Sequence, residues 1–536
     1  MHTGTHAFGL DETFIEPQIL PPPPTRHALL AFILALTAIL HLGTSGWSDI
    51  HNGAEGRYAS IARAMERTGD WTAPGPPLHY WLTIISFKLL GATAVAARLP
   101  VALATVAAVA FTFLLGERLY GYWRGFIAGL IHVCGLGSFI WMRMATPEPL
   151  FAAGLCATLF CAVSGYQRRR NRRWWYVAAW SCAALACLTK GFVGLLPLAL
   201  ILLLLAISFR EARVRFRALL NWRNILLFGA LLLPWLVATH FRVFAFFPPR
   251  FGEGVPLVRF VVSHFVWWFP AVLLVLPAIS LGWRKVFRPH AFELADALPL
   301  CWMAVGFLPL LFITGRQDFD SINMWSPFAL FAATAWDRTS PRLRLWGLGL
   351  VALAGASLVG AGALNVTATL PALPSAWLGV RSVVVLAGMV LLVFSFLAAY
   401  FSWKDRETLA LAVLMLGMTP IGLSTAEGMA RFGPYLSLAQ AGRFIQPGLG
   451  ENGEVLFEGS AFSGSSLEFY LDRRALIVEP TAADDLVLDK MKGTHPVFFI
   501  ISRNRAPYWQ DRLTERFHIY HQAAVCGSHV VISNHQ

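Results

Sequence analysis

The stretch AEGRYASIARAMERTGDW, residues 54–71, is a polar and charged island between long apolar segments. Its residues Tyr58, Ile61, Ala62 and Met65 recur at helical spacing and therefore share one face of a helix. That helix is too polar to span a bilayer. We expect it to lie along the membrane surface, with its apolar face in lipid and its charges in water. Polar groups held at this level can meet a lipid head group.

The composition of the chain indicates a polytopic membrane protein. It has 536 residues, of which 56% are hydrophobic and 14% charged, and its mean hydropathy is +0.57. One soluble core cannot bury so much apolar surface. The net charge of +13 would suit nucleic-acid binding, but arginine and lysine fall in short loops between apolar segments. Membrane topology explains the charge better, so we expect no nucleic-acid partner.

The cysteine spacing and the N-terminal sequence give two further expectations. The cysteines, all but Cys526 inside apolar segments, show neither a disulfide framework nor a zinc-type spacing. The N-terminus carries acidic residues and a proline run before the first apolar segment, without a basic region or cleavage site. We therefore expect the first span to be retained in the protein.

Apolar segments of spanning length predict an α-helical membrane domain with about thirteen transmembrane helices. We place them at 27–46, 95–116, 125–142, 147–166, 174–189, 191–209, 224–241, 265–283, 297–314, 322–336, 344–364, 377–402 and 408–426.

The basic residues of the loops predict the orientation of these spans. If the N-terminus is cytoplasmic, every arginine- or lysine-rich loop also falls in the cytoplasm. These loops contain Arg118, Arg124, Arg168–Arg170, Arg172, Arg173, Arg210, Arg213, Arg215, Arg217, Arg284, Lys285, Arg288, Arg338, Arg342, Arg344, Lys404 and Arg406. The opposite side receives the unusual polar residues, so we expect any functional site to open to the exterior.

The composition changes after about Ala430. GEVLFEG, ALIVEP, HPVFFIIS and VVIS predict short strands, and a small α/β domain of about a hundred residues fits this segment. The predicted organisation is a cytoplasmic tail at 1–26, a membrane domain at 27–429 with a first external loop at 47–94, and a periplasmic α/β domain at 430–536.

Three ionisable residues stand out in the external segments. Glu55 is a candidate general base or metal ligand, and the alternative is a capping box with Asn52 at the N-cap. Glu148 lies between two prolines at the mouth of a span, where a charge is costly without a partner; its alternative is a simple interfacial charge. Lys190, between two apolar spans, is interpreted as a buried counter-ion for Glu148 or as a phosphate ligand.

A second group of polar residues lies in the later external loops. Arginine suits bidentate phosphate binding and a lone histidine suits metal binding or proton transfer, whereas the alternative for arginine is snorkelling at a span end. These candidates are Arg259, His264, Arg316, Gln317 and Asp318. The chain has no P-loop, dinucleotide fingerprint, zinc-protease helix or hydrolase elbow, so nucleotide chemistry is not supported.

An ordered set of motifs resembles a known family. AEGRYASIARAMERTGDW is followed by PPLHYWL, AARLP, RMATPEPL, LTKGFVGLLP, Pro234–Trp235, RFVVSH and RQDFDS. The order resembles the bacterial glycosyltransferases related to aminoarabinose transferase and protein O-mannosyltransferase, over nearly the whole membrane part.

The resemblance implies a GT-C architecture, a polyprenyl-phosphate sugar donor and a site at the outer face of the inner membrane. It matches Glu55 and Arg57 to the acidic-x-Arg motif of the first external loop, with Tyr58 beside them as a substrate-binding residue. Glu148 matches the acidic residue after the third span, and Lys190 the lysine of the TKG motif.

The chain departs from the family pattern at three places. Relatives often have an Asp-Glu pair in the first loop, but Ala54 takes the first position, so Glu55 or Asp49 would have to serve. Gly75 stands where a lysine usually precedes the Pro-Pro pair, in a loop that is shortened. Phe319–Asp320 replaces the tyrosines that commonly follow the RQD motif.

The residues and the resemblance together predict a membrane glycosyltransferase that moves a sugar from a polyprenyl-phosphate carrier to a lipid, glycan or protein acceptor. The predicted catalytic acids are Glu55, Glu148 and Asp49. No cofactor is implied with certainty, and His264 is the candidate ligand should a divalent metal be needed. The alternative is a lipid-carrier-binding or transport protein without catalysis, although transport usually shows a midplane site and paired repeats.

Overall fold

The structure is a computed structural model that describes residues 23–167, 171–240, 254–273, 275, 293–364, 374–471, 473–479, 484–517 and 521–535. Most of the predicted tail 1–26, the arginines at 168–170, and the basic residues Arg284, Lys285 and Arg288 lie outside the described residues.

Helices dominate the described part of the chain. They are α1 Pro23–His41, α2 Ala54–Thr68, α3 Leu78–Leu90, α4 Ala94–Tyr120, α5 Tyr122–Cys134, α6 Leu136–Trp141, α7 Glu148–Gln167, α8 Arg172–Lys190, α9 Leu195–Ser208, α10 Arg210–Phe216, α11 Trp222–Ala238, α12 Leu257–Trp267, α13 Leu294–Phe312, α14 Trp325–Arg338, α15 Pro341–Ala363, α16 Pro374–Trp403, α17 Glu407–Arg431, α18 Gly433–Leu436, α19 Ala439–Ile445, α20 Ser465–Leu471, α21 Asp484–Met491 and α22 Ala506–Phe517.

Six of the described helices are long and apolar enough to cross a membrane: α4, α7, α13, α15, α17 and most of α16. A seventh span results if the bent pair Arg210–Leu220 and Trp222–Ala238 crosses as one unit. The predicted helical membrane protein is confirmed, but the count of about thirteen spans is not. Several predicted segments are too short or broken: the segment at 125–142 is interrupted by extended backbone at Gly135, between α5 and α6.

Burial separates the interior helices from the peripheral ones. The apolar stretch of α7 is 89% buried, whereas those of α15 and α16 are only 28% and 22% buried. An apolar helix side that other helices do not cover faces lipid in a membrane protein. Helix α7 therefore lies at the centre of the bundle, and α15 and α16 lie at its edge.

Residues 47–94 contain two helices, α2 and α3, of which α3 was not predicted. The apolar face of α2 is buried in protein, and the expectation that it lies in lipid is wrong. Its partners are apolar residues of α3 and α20, and no local pattern in the sequence indicates their contact with α2. The shared cluster contains Ile50, Ala54, Tyr58, Ala59, Ala62, Met65, Tyr80, Ile84, Phe87 and Phe469.

The predicted C-terminal strands are confirmed, together with one further strand. A five-stranded sheet has the order β2-β1-β3-β5-β4, with β1 parallel to β2 and β3 and the other pairs antiparallel. The strands are β1 Glu454–Glu458, β2 Leu476–Val478, β3 Val497–Ser502, β4 His521–Cys526 and β5 His529–Ser533. Strand β4 was missed because HQAAVC lacks the alternating apolar pattern of its neighbours.

The C-terminal segment is hydrogen-bonded to the residues that begin α2. The Gly53 backbone N–H donates to Ser465 Oγ over 2.8 Å and to the Phe462 carbonyl over 3.0 Å. Ser466 Oγ donates to the Asn52 side-chain oxygen over 2.6 Å. Because these bonds join the first loop to residues near the end of the chain, the C-terminal segment fixes the position of α2.

Candidate active site

A cavity of about 300 Å³ lies between α2, α7, α8, α9, α13 and the 3₁₀ turn Asp318–Met324. One part of its wall is apolar and comes mainly from α9 and α13. It contains Leu196, Pro197, Leu200, Val305, Pro309 and Leu310. The other part is polar and carries Tyr58, Glu148, Lys190, Gln317, Asp320 and Asn323.

Lys190 connects two acids on the polar wall. Its Nζ is 2.6 Å from Glu148 Oε1 and 3.6 Å from Asp320 Oδ1. Lys190 is the last residue of α8, and Gly191 at φ 69° turns the chain directly after it, so the side chain projects from a helix end. Lys190 therefore forms the ion pair with Glu148 that was one of its two interpretations from the sequence.

The two acids are held in different ways. Glu148 is the first residue of α7, where the helix dipole favours a negative charge. Its Oε2 is buried and has no hydrogen-bond partner among the described residues. Asp320 accepts a hydrogen bond from the Gln317 backbone N–H over 2.9 Å, as part of a capping box at the start of the 3₁₀ turn. Glu148 is thus the acid with an oxygen available for a ligand proton.

Tyr58 completes the polar wall from α2. Burial raises the pKa of its phenol well above the usual value, and the negative charges of Glu148 and Asp320 raise it further. The phenol therefore stays protonated at neutral pH and remains a hydrogen-bond donor.

Glu55 lies next to this region but does not line the cavity. Arg98 donates to both of its carboxylate oxygens over 2.8 and 2.9 Å, and the backbone N–H groups of His51 and Ala145 donate over 2.9 and 3.0 Å. Burial alone would raise the pKa of Glu55, but the charge and hydrogen bonds of Arg98 lower it to about 2, assisted by His51. The capping box with Asn52 does not form: the N-cap is Gly53.

Asp49 and Arg57 also lie outside the cavity. Asp49 pairs with Arg443 and accepts a hydrogen bond from the Tyr470 hydroxyl over 3.3 Å. The Arg57 guanidinium is 3.6 Å from Glu468 on α20. Both residues therefore contact the C-terminal segment.

Most of the candidate residues in the later loops do not line the cavity. Arg259 is exposed on α12, and Arg316 donates to the carbonyls of Leu310, Leu311 and Val255. His264 is buried, with Nδ1 2.5 Å from the Phe260 carbonyl.

Asp318 is also turned away from the cavity, because its carboxylate accepts a hydrogen bond from Ser263 over 2.8 Å. Gln317 alone of these later candidates lines the cavity. Across the described ranges, no group of three or more His, Cys, Asp or Glu side chains is placed to hold a metal ion.

Two residues of this region were missed. Asp320 was noted only as a departure from the family pattern, although its position three residues after Gln317 is capping-box spacing. Arg98 was quoted only within AARLP, yet its charge inside an apolar span was a signal for a buried carboxylate partner.

Comparison with known proteins finds similarity to named glycosyltransferases. Residues 74–237 match the family described as dolichyl-phosphate-mannose-protein mannosyltransferase. The undecaprenyl phosphate-alpha-4-amino-4-deoxy-L-arabinose arabinosyl transferase of Pectobacterium carotovorum is 27% identical over 344 residues, 58% of this chain and 60% of that protein. The enzyme of the same name from Pseudomonas aeruginosa UCBPP-PA14 is 28% identical over 280 residues, 48% of each chain.

The chain is thus similar to aminoarabinose and protein O-mannosyl transferases. It is similar to ArnT from Cupriavidus metallidurans, solved with undecaprenyl phosphate, at a TM-score of 0.77 and 22% identity over 95% of this chain and 98% of that one. The oligosaccharyltransferase of Archaeoglobus fulgidus aligns at a TM-score of 0.56 and 12% identity, over 92% of this chain and 71% of that one.

These structural likenesses confirm the predicted GT-C fold. The chain spans about three fifths of the length of the first curated relatives that it matches.

Proposed function

We propose that the protein transfers a sugar from a polyprenyl-phosphate carrier to an acceptor hydroxyl or phosphate. The observation that carries this proposal is the cavity in which Lys190, between two acids, adjoins an apolar wall. A lipid phosphate has the same division, with a charged head and an apolar chain.

The donor is placed by matching its two parts to the two parts of the wall. The polyprenyl chain lies along α9 and α13, and the phosphate lies at Lys190, whose ammonium stabilises the charge that develops as the sugar–phosphate bond breaks. The ArnT relative solved with undecaprenyl phosphate supports this class of carrier.

Glu148 is the proposed general base. Its Oε2 takes the proton of the acceptor, the acceptor oxygen bonds to the anomeric carbon of the sugar, and the bond from that carbon to the phosphate oxygen breaks. The electron pair leaves with the polyprenyl phosphate, next to Lys190. Tyr58 and Asp320 orient the polar groups around the reacting atoms.

Glu55 is proposed as a positioning residue. Four donors occupy its two oxygens, which leaves it little capacity to accept a further proton from a ligand. Through Arg98, it holds the turn at residues 45–49 against the start of α4.

The finer topology is part of the same proposal. We place about thirteen membrane passes in a bacterial inner membrane, with the cavity and the domain at 430–536 on the periplasmic side and the tail 1–26 in the cytoplasm. The alternating basic loops support this orientation. The acceptor is a lipid, glycan or protein of the envelope, and the sugar is a pentose or a hexose.

A second candidate function is carrier binding without transfer. Ala54 lines the cavity at the position where relatives often have an acid, so one carboxylate of the usual pair is missing. Gly75 likewise replaces a lysine. If Glu148 cannot act as base, the cavity still offers a lipid phosphate a cation and an apolar wall.

A transfer assay separates the two functions. The purified protein is incubated with undecaprenyl phosphate carrying a labelled sugar and with envelope lipids, and the products are identified by mass spectrometry. Transfer that Glu148→Gln abolishes supports catalysis, whereas donor binding with no transfer under any acceptor supports the carrier-binding function. Mass spectrometry of envelope glycans and lipids from a deletion strain identifies the acceptor.

A further inference from the structure

A second concave surface, the α9 groove, lies on a different side of α9 from the cavity. It has a volume of about 450 Å³ and is bounded by α7, α8, α9, α10 and the 3₁₀ turn Arg217–Leu220. Its lining residues do not line the cavity. Helix α9 contributes Leu195, Leu198, Ala199, Leu202, Leu203 and Ala206.

The wall of the α9 groove is apolar except at one end. Apart from two arginines, Thr158 and Trp180 are its described lining residues with a polar side-chain group. The Thr158 hydroxyl donates to the Gly154 carbonyl over 2.7 Å, and the Trp180 indole N–H donates to the Leu219 carbonyl over 2.8 Å. Because both donors are used within the protein, the wall suits a hydrocarbon chain.

The two arginines of the groove, Arg213 and Arg217, lie where α9 ends. Arg213 donates to two carbonyls near the end of α9 over 3.0 and 3.3 Å, which fixes its guanidinium there. Arg217 is exposed and forms no ion pair with another described residue. Glu211, the acid of α10, is instead 3.8 Å from Arg215, and no described lining residue of the groove is acidic. This end of the groove is therefore positively charged, and arginine is well suited to bind phosphate.

Two tryptophans place the arginine end of the groove at the boundary between lipid and water. Trp174, near the start of α8, and Trp222, at the start of α11, are 60% and 64% exposed. Arg173 and Arg223 lie 5.2 and 5.6 Å from the centres of these two rings. Exposed tryptophan beside arginine is typical of the membrane–water interface. Since Trp222 comes shortly after the turn that closes the groove, the two groove arginines lie at the level of lipid head groups.

The apolar wall has the length of one leaflet of a bilayer. From Leu195 to Ala206, α9 rises by about 16 Å, at about 1.5 Å per residue. Half of the hydrocarbon core of a bilayer is about 15 Å thick. Two lining residues, Leu203 and Leu220, are 54% and 67% exposed, so the groove is open towards lipid. A phospholipid acyl chain that starts at the head-group level therefore fits along this wall.

We propose that the α9 groove binds an anionic phospholipid, with one acyl chain along α9 and the phosphate at Arg213 and Arg217. Basic residues at the membrane surface attract such lipids. The Tyr176 hydroxyl, near the start of α8, donates to the Arg215 carbonyl, whereas Lys190 ends α8. The phospholipid therefore lies in the leaflet away from Lys190, and its binding does not depend on sugar transfer.

Competition between two lipids tests the proposal on the unaltered protein. The full chain is purified with equal amounts of phosphatidylglycerol and phosphatidylcholine that have the same acyl chains, and the retained lipids are counted by native mass spectrometry. Phosphatidylglycerol should be retained preferentially, because its head group has a net negative charge. Equal retention would overturn the proposal. Added undecaprenyl phosphate should bind beside phosphatidylglycerol, and its displacement of that lipid would overturn the phospholipid as the occupant.

Arg217→Gln tests the head-group end of the groove. It should weaken the retention of phosphatidylglycerol by about fivefold, and Arg217→Lys should keep most of it because the charge remains. Arg210→Gln is the matched control, since Arg210 is exposed at the start of α10 but does not line the groove. Unchanged retention in Arg217→Gln would overturn the site. So would equal losses in the two glutamine variants, which would indicate attraction by surface charge alone.

Ala199→Phe tests the position of the acyl chain, because it places a ring in the groove. It should remove most of the preferential retention of phosphatidylglycerol at an unchanged unfolding temperature. Leu204→Phe is the matched control, since Leu204 is 39% exposed on the same helix but does not line the groove. Normal retention in Ala199→Phe, or an equal loss in Leu204→Phe, would overturn the placement of the chain.

Discussion

Glu55 and Glu148 are both buried carboxylates, but their oxygens have different surroundings. Four donors occupy Glu55, whereas Glu148 is paired only through Oε1 with Lys190, among the described residues. A carboxylate with all its acceptor sites filled stabilises the fold, and one with an oxygen that no donor occupies can take a proton. We therefore expect Glu55 to stabilise the fold and Glu148 to act in the transfer reaction.

Glu148→Gln should reduce the transfer rate roughly 100-fold or more. The amide oxygen can still accept a hydrogen bond from Lys190, and Asp320 remains 3.6 Å from its ammonium, so the variant should fold and should unfold at nearly the same temperature. The measurement is single-turnover transfer from labelled polyprenyl-phosphate sugar, with the thermal midpoint recorded beside it. A variant that transfers at the normal rate would remove Glu148 as the general base.

Glu55→Gln should mainly destabilise the protein, by about 3 kcal/mol, because one amide group would face donors in the Arg98 cluster. The pKa of Glu55 lies at about 2, below its usual 4.5. Its contribution to stability is therefore complete above about pH 4.5 and is lost as the pH falls towards 2. Unfolding midpoints measured across this range should fall for the natural protein more steeply than for the variant. If the variant has normal stability but has lost transfer, Glu55 is a catalytic residue and not a positioning residue.

Lys190→Met tests the ion pair itself. It leaves Glu148 buried without its cation, so we expect a loss of roughly 3 kcal/mol or more and poor expression. Adding Glu148→Gln removes the uncompensated charge and should restore expression but not transfer. Activity in the double variant would exclude both residues from the reaction.

At the scale of elements, the position of α2 depends on α20. A Cβ atom added at Gly56 would lie 2.7 Å from Ser465 Oγ and from the Ser466 backbone nitrogen, closer than real contacts allow. Since Gly56 has ordinary helical backbone, its role is this close approach of two elements. The C-terminal segment can reach α2 only while that position has no side chain.

Gly56→Ala should therefore loosen the C-terminal segment from the first loop. We expect faster proteolysis between α17 and β1 and a clear fall in transfer, because Tyr58 is carried on α2. Gly229→Ala in α11 is the matched control, since a Cβ there meets no atom within 4 Å. Equal proteolysis of the two variants would contradict the role of the close approach.

The sequence was informative about elements whose pattern is local. The strands of the C-terminal sheet follow from short apolar runs, and the helix at residues 54–68 follows from its spacing. No local pattern indicates the pairings between distant residues, such as Glu55 with Arg98 or Gly53 with Ser465, which is 412 positions away. For that reason the apolar face of α2 was assigned to lipid, although α3 and α20 cover it.

At the scale of the whole molecule, hydropathy alone overestimates the number of segments that form a single, unbroken spanning helix. Helices α1, α3, α9 and α12 are apolar but short, and α11 forms a bent pair with the segment before it. Shorter and broken helices are tolerated in a membrane protein where other helices, and not lipid, satisfy and cover them. The fold was thus recognisable from motif order, while the number of crossings was not.

Orientation is the remaining prediction at this scale. The basic loops alternate along the chain, which predicts that Asn171 is cytoplasmic and Asn452 periplasmic. Reporter fusions at these two residues, active on one side of the membrane only, should give opposite signals. Asn171 lies at the start of α8, the helix that ends at Lys190, so its position also decides on which side the cavity opens. Signals from the same side would contradict the odd number of spans between these two residues.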